Sequence, residues 1–268
     1  GNPFLSPRPI FRISKKSDSA LVEKAHEYAK KCGAMFVSDG AWVGADLVAP
    51  RAGKLHSVTL NLPRIGYEAK GDDDLLNSII TERLEMIKEL LMIKYNEMDQ
   101  RLHNIKFLTQ GSTPYFELKK SSLSIGIVGL NELAKVHAKK QLHEGGDEFG
   151  LKVVKLIREK IDGFAKDGGL NWVLSDAGPS ERLMEKDILE FGREAVTGSG
   201  KDPHYTRSSH VPNVGIDIEE KIGIEAKFHE LFNGGQAVVL PSDEKDLAVR
   251  TESVLKAGAR AVRYLKSK

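Results

Sequence analysis

Cysteine is almost missing from the sequence: Cys32 is the single thiol in 268 residues. An intramolecular disulfide is therefore impossible, and so is a zinc or iron–sulfur site built from two or more cysteines of this chain. Dithiol redox chemistry from this chain alone is excluded too, and such sparing use of cysteine suits a reducing cytoplasm. A run of about 18 apolar residues is also lacking, so no transmembrane helix is expected. Neither sign of charge is in excess, since 40 Lys and Arg stand against 38 Asp and Glu for a formal net charge of +2. That balance gives no electrostatic reason to expect nucleic acid or a membrane as a partner. The opening Gly1-Asn-Pro-Phe-Leu5 has neither an initiating Met nor the basic-then-apolar layout of a signal peptide. It reads as the start of a processed, tagged or excised chain.

Composition is otherwise ordinary for a globular protein, at 40% hydrophobic and 29% charged, enough to build a sizeable core. Pro3, Pro7 and Pro9 predict an extended lead-in. Ser17 and Asp18 cap a helix to about residue 31, with Ala20, Leu21, Ala25, Tyr28 and Ala29 on its apolar face and Gly33 as its stop. A buried strand over 34–37, a long loop over 38–57 and a strand over 57–63 follow, the last closed by Pro63. Asp72, Asp73 and Asp74 head a helix to about residue 103. Leu75, Leu76, Ile79, Ile80, Leu84, Ile87, Leu90 and Leu91 form its apolar stripe.

Further strands are expected over 123–128, 171–174, 236–240 and 261–265. Helices are expected over 129–139, 147–166, 216–232 and 243–257. One more starts at Pro179-Ser180 and carries Leu183, Ile188, Leu189 and Phe191. A polar loop fills 197–213. Strands alternating with helices long enough to cross over predict a mainly parallel sheet with crossover helices, or part of a barrel, in one α/β domain over 1–268.

Generic site motifs fail on inspection. Gly198-Ser-Gly-Lys201 ends like a phosphate-binding loop, but Ala195 and Asp202 stand where Gly and Ser or Thr are needed. His143-Glu144 and His229-Glu230 lack a second His four residues on, so no metal is expected. Polar residues at strand ends are more informative, because parallel α/β folds bind ligands there. Asn61 interrupts an apolar strand, and it serves either a ligand or the turn that follows it. Asn131 and Glu132 follow a glycine at the end of strand 123–128, where helix capping is the plainer role. Tyr205, Thr206, Ser208, Ser209 and His210 form a polar tip that by itself reads as a solvated loop.

Taken together, four segments resemble the anaerobic (class III) ribonucleoside-triphosphate reductases, a family of glycyl-radical enzymes. They are Val58-Thr-Leu-Asn-Leu-Pro-Arg-Ile-Gly-Tyr67, Ile125-Gly-Ile-Val-Gly-Leu-Asn-Glu132, His204-Tyr-Thr-Arg-Ser-Ser-His-Val-Pro212 and Phe228-His-Glu-Leu-Phe-Asn-Gly-Gly235, in the family's order and rough spacing. The resemblance runs across roughly the whole chain and implies half of a ten-stranded α/β barrel built from two parallel halves, namely the second half. The regulatory nucleotide-binding region, the four-cysteine zinc site and the glycyl-radical loop of full-length members have no counterpart in these residues.

In the family, a radical on that glycine passes to a Cys on a loop inside the barrel, and the thiyl radical removes the ribose 3′ hydrogen. The resemblance places this Cys within residues 44–52, with Ala49 in its register. Cys32 falls on the preceding helix. The family's Thr-Pro-Ala-Glu-like run becomes Ser175-Asp-Ala-Gly-Pro-Ser-Glu-Arg182, and its Tyr-Thr-Asn-Ser becomes Tyr205-Thr-Arg-Ser208. Arg182 and Asp187 keep the family's spacing. Asn61 and Tyr205 carry over as substrate-binding residues, with Asn131 and Glu132 as weaker ones; no catalytic residue or cofactor is assigned. The expectation is a cytoplasmic reductase-related protein, catalytically silent alone because the radical Cys and Gly are absent. The alternatives are a module that binds a nucleoside triphosphate for regulation and a scaffold that pairs with itself or with a true reductase.

Overall fold

The structure, a computed structural model, describes residues 9–38, 51–102, 104–105, 114–178, 180–192, 204–212, 216–243 and 245–265. Ala49 and Gly198-Ser-Gly-Lys201 lie outside the described residues. β1 (Ile10–Ile13) is the extended lead-in, and α1 (Ser19–Cys32) begins where Asp18 accepts hydrogen bonds from the Ala20 and Leu21 amides. Gly33 ends α1 at φ 74°, and β2 (Ala34–Ser38) follows. Leu21, expected on the apolar face, is 66% exposed, while His26 is buried in line with Ala25 and Ala29.

β3 (Lys54–Asn61) starts inside the stretch expected as loop over 38–57, earlier than its composition suggested. Pro63 does more than close this strand. It sits in the first turn of α2 (Leu62–Ala69), a helix the sequence reading did not anticipate, where a missing N–H costs nothing. Asn61 is the cap of that helix and accepts from the Arg64 amide at 3.5 Å. α3 (Asp73–Leu102) runs for 30 residues, with Asp73 and Asp74 in its first turn. It buries Leu76, Ile80, Leu84, Ile87 and Leu91 and leaves Leu75 and Leu90 at the surface.

Downstream come β4 (Ser122–Val128), α4 (Leu130–His137), α5 (Asp147–Gly168), β5 (Asn171–Asp176) and α6 (Glu181–Phe191). α7 (Ile218–Ala226), β6 (Val238–Pro241), α8 (Leu247–Lys256) and β7 (Ala261–Leu265) complete the order. The helix expected over 216–232 is thus only nine residues long, and turns occupy its second half. On α6, Leu189 faces solvent and Met184 and Asp187 take the buried positions.

β3, β4 and β5 pair in parallel, with Asn61 opposite Val128 and Ile127 opposite Asp176. β6 and β7 are parallel to each other, β7 is antiparallel to β2, and β2 is parallel to β1. Main-chain hydrogen bonds join the two sheets beside β5, from Gly234 N to Leu174 O at 2.7 Å and from Asp176 N to Gly235 O at 3.1 Å. Asn233 Oδ1 reinforces the join by accepting from Leu174 N at 2.7 Å. The expected half barrel is present, and β1 and β2 extend it beyond the β2–β7 seam. One core lies between β3–β5 and helices α2 to α5; a second surrounds Phe36, Val262 and Tyr264.

Two glycines hold the sheets and their turns close. A Cβ at Gly234 would meet Leu174 O at 2.8 Å, so only glycine lets this loop lie against β5. Gly129, between β4 and α4, has φ +75°, and a Cβ there would meet Pro63 Cδ at 2.7 Å. Gly129→Ala should therefore cost roughly 2–4 kcal/mol, combining a left-handed backbone with overpacking against a rigid ring. A shift in the urea midpoint measures it, and a loss below about 1 kcal/mol would contradict this packing.

Candidate functional site

Parallel pairing brings the carboxyl ends of β3, β4 and β5 to one end of their sheet. Four polar residues follow from that placement: Asn61 closing β3, Asn131 and Glu132 just beyond β4, and Asp176 closing β5. The segment 205–211 lies across this end, held by an antiparallel bridge from Arg207 to Val128 and another from Tyr205 to Ser180. Gly129 N donates to Thr206 O at 2.8 Å and Leu130 N to Ser208 O at 3.1 Å. The start of α4 thus spends its free amides on this segment rather than on water.

Asp187, on α6, is the node that joins the two principal candidates. Its buried carboxylate accepts from Asn61 Nδ2 at 2.8 Å, from Tyr205 OH at 2.8 Å and from Arg64 Nη1 at 3.1 Å. Arg64 continues outward to Glu190 at 2.7 Å and Glu68 at 3.1 Å, and its guanidinium lies 5.4 Å from the centroid of Phe191. Hydrogen bonding to Glu190, with a smaller share from Asp187, raises the Arg64 pKa above its usual range. Burial, then the hydrogen bond to Asp187, pushes the Tyr205 phenol up, so it stays a donor at all ordinary pH values. Of the two tasks open to it in the sequence, Asn61 performs the local one, capping α2, and its amide is given to a buried carboxylate of the same chain.

Glu132 is buried beneath the same segment and accepts from Thr206 Oγ1 at 2.6 Å and Thr206 N at 3.2 Å. Burial raises its carboxyl to about 7, so a group that usually ionises near 4.5 holds its proton close to neutrality. Asn131 faces elsewhere: its Oδ1 accepts from Leu142 N at 3.1 Å and its Nδ2 donates to Gln141 at 3.3 Å. The structure thus groups Asn61 with Tyr205, sets Glu132 alongside through Thr206, and gives Asn131 the pinning of the loop after α4.

The rest of the segment is equally committed. Arg207 pairs with Asp176 at 2.6 Å, and Ser208 donates to the other Asp176 oxygen at 2.7 Å. Ser209 accepts from Gln236 at 2.6 Å. His210 Nδ1 lies 3.1 Å from Glu225 on α7, which also accepts from Val211 N at 2.9 Å. Burial pushes the neighbouring His229 down to about 4, leaving it neutral at pH 7. Ser208 adopts φ 38°, the left-handed backbone a non-glycine residue takes only where its surroundings fix it. Arg64, Asp176 and Glu225 were not singled out by sequence reasoning, and Asp187 only through its spacing. The available signal was an acid in an apolar register: Asp187 three residues after Met184, and Glu225 three after Ile222.

This arrangement lies at the strand ends of a partial α/β barrel, a fold that solved structures share. The anaerobic ribonucleotide reductase of Thermotoga maritima, solved with glycerol in the active site, superposes with a TM-score of 0.77 at 18% identity, covering 97% of this chain and 46% of that one. The same enzyme in complex with dATP and CTP gives 0.77 at 19% identity, covering 97% and 48%. Residues 3–265 match the family model for anaerobic ribonucleoside-triphosphate reductase, and the chain belongs to that family. The anaerobic ribonucleoside-triphosphate reductase of Escherichia coli (strain K12) is 27% identical over 208 residues, which cover 66% of this chain. That of Salmonella typhimurium is 27% identical over 204 residues. The chain spans 28% of the length of these curated relatives.

Two outcomes follow from the buried carboxyls. Asp187→Ala should destabilise by roughly 3–5 kcal/mol, because Arg64, Asn61 and Tyr205 lose their shared acceptor, while Glu190→Ala at the surface should cost under about 1 kcal/mol. Equal costs for the two variants would contradict the node. Glu132 has a folded pKa raised from 4.5 to about 7, so its stabilising share is full below about 4.5 and is lost as pH climbs through 7. Glu132→Gln keeps an acceptor for Thr206 and removes the titration. Its stability relative to the parent should rise by up to roughly 3 kcal/mol between about pH 5 and pH 8, a difference in which the opposing trend of His229 cancels. A gap that does not change with pH would overturn the assignment.

Proposed function

We propose that this polypeptide keeps the barrel framework of the anaerobic ribonucleotide reductases but does not reduce ribonucleotides by itself. Placement of sulfur carries the reading. Cys32 is the final residue of α1, one turn after Tyr28, whereas Ala49 holds the loop register in which the resemblance puts the radical-carrying Cys. Removing a hydrogen atom from a ribose needs an S–H that alanine lacks. The exchange at 207 points the same way: where the family has an amide, Arg207 is tied to Asp176, and both side chains serve the internal network.

A second role, binding a nucleoside triphosphate without chemistry, draws support from the Thermotoga maritima enzyme, solved in complex with dATP and CTP and with dATP bound in the specificity site. In this reading Asn61, half-exposed at the end of β3, is the contact residue. Tyr205 positions it through Asp187, Glu132 presents a carboxyl that is part-protonated at neutral pH, and Asn131 holds the neighbouring loop. The protein works in the cytoplasm, as a regulatory partner of a complete reductase or as a dimer.

Purified chain supplied with nucleoside triphosphates and a radical-generating partner should give no deoxyribonucleotide, and turnover would overturn the claim of silence. Calorimetric titration should show saturable nucleotide binding that Asn61→Ala weakens about tenfold and Tyr205→Phe weakens less, in line with one lost hydrogen bond. Absence of binding would remove the nucleotide role and leave the scaffold role standing.

A further inference from the structure

The join between the two sheets runs through Phe232-Asn-Gly-Gly235, and its two requirements meet in one dipeptide. Position 234 needs glycine, because a Cβ there would lie 2.6 Å from Ser175 Cβ and 2.8 Å from Leu174 O. Position 233 both accepts and donates: Asn233 Oδ1 accepts from Leu174 N at 2.7 Å, and Nδ2 donates to Trp172 O at 3.3 Å. A primary amide carries that acceptor and that donor side by side, whereas a carboxylate carries acceptors alone. The result is Asn233-Gly234, the one Asn-Gly pair in the sequence. Asparagine is a thermally labile side chain, and a following glycine has no side chain to hinder attack by its own main-chain nitrogen.

We infer that Asn233-Gly234 is a deamidation site kept closed by the sheet join, so that a chain whose join has opened is marked covalently and does not rejoin. In the reaction Gly234 N loses its proton to solvent base and attacks Asn233 Cγ. The N–Cγ bond forms, the Cγ–Nδ2 bond breaks, and Nδ2 takes up a proton and leaves as ammonia. Water then opens the five-membered imide at either carbonyl, leaving an aspartyl or isoaspartyl residue at 233. One water is consumed, one ammonia is released and nothing is oxidised or reduced.

In the closed join the reacting groups are all engaged. Gly234 N donates to Leu174 O at 2.7 Å, so its proton is held by β5. The Asn233 amide is pinned to the same strand through both of its polar atoms, and Cγ cannot turn onto Gly234 N while those bonds hold. Opening the join releases these groups together. The product does not fit back: a carboxylate at 233 still accepts from Leu174 N but turns a lone pair to Trp172 O where the donor stood. The isoaspartyl form also lengthens the main chain by one carbon, which draws Gly234 N and Gly235 O away from Leu174 O and Asp176 N.

Conversion at 233 in the purified full chain, read by mass spectrometry and isoaspartyl labelling of the peptide that spans it, tests the inference. At alkaline pH the chain unfolded in guanidinium chloride should convert as fast as a free peptide of residues 228–240 in the same buffer. The folded chain should convert at least about tenfold more slowly, since it reacts only through its opened fraction. A smaller difference overturns the protection. After return to native buffer, limited proteolysis should digest the converted molecules and spare the unconverted ones; converted chains that regain full resistance overturn the one-way step. Asn233→Asp carries the direct product, and its urea midpoint should fall below the parent's. An unchanged midpoint overturns the one-way step as well. A variant that does not fold agrees with it, and the conversion rates of the parent, which need no variant, still test the protection.

Discussion

Seven consecutive residues, 205–211, hand their polar groups to five different parts of the fold, and the strand-end region takes its form from that fact. Tyr205 reaches α6, Thr206 reaches α4, Arg207 and Ser208 reach the end of β5, Ser209 meets Gln236 before β6, and His210 and Val211 meet α7. Each acceptor is buried or nearly so, which makes these bonds far costlier to break than surface pairs such as Arg101 with Glu97. Left unsatisfied, any one of the buried carboxylates carries a desolvation penalty of several kcal/mol. The segment cannot shift locally without disturbing elements that are distant in sequence.

Parallel strands explain why that clamp sits where it does. Their common direction gathers the carboxyl ends of β3, β4 and β5, and in-register pairing sets Asn61, Val128 and Asp176 within two steps across the sheet. Helix starts and strand ends then supply amides and side chains to the same small volume. In such a volume burial moves proton affinities, upward for Glu132 and downward for His229, and neither group has a close counter-ion that would reverse the direction.

Much of this was legible in the residues. Asp18 before Ser19, Asp72 before α3 with Asp73 and Asp74 in its first turn, and Ser180 before α6 are side chains whose local chemistry favours a helix start, so those boundaries were read to within a residue or two. The α/β alternation was equally visible, since crossover helices and short apolar strands have distinct periods. Pro63 misled because the same ring ends a strand and opens a helix, and only the packing of Ile65 and Ala69 against the sheet decides between them. Leu21 and Leu189 misled because period alone assigns a face but not its width. At the site, Asn61 stood out as a polar residue at a strand end, and Tyr205 only through the family segments. Their shared partner Asp187 is 126 positions from Asn61, a contact that no local pattern encodes.

The seam between β2 and β7 pairs Ala34 with Tyr264, two strands separated by nearly the whole polypeptide. On the ribosome, Ala34 to Ser38 can pair with β1 at once but emerges long before β7 is made, whereas β3, β4 and β5 find their partners within the following stretch of synthesis. The central sheet and α3 are therefore the natural nucleus, and the outer sheet is the last to settle. An apolar strand edge left waiting in this way is the part of the nascent chain most in need of a chaperone, and premature termination before residue 261 would leave β2 paired with β1 alone.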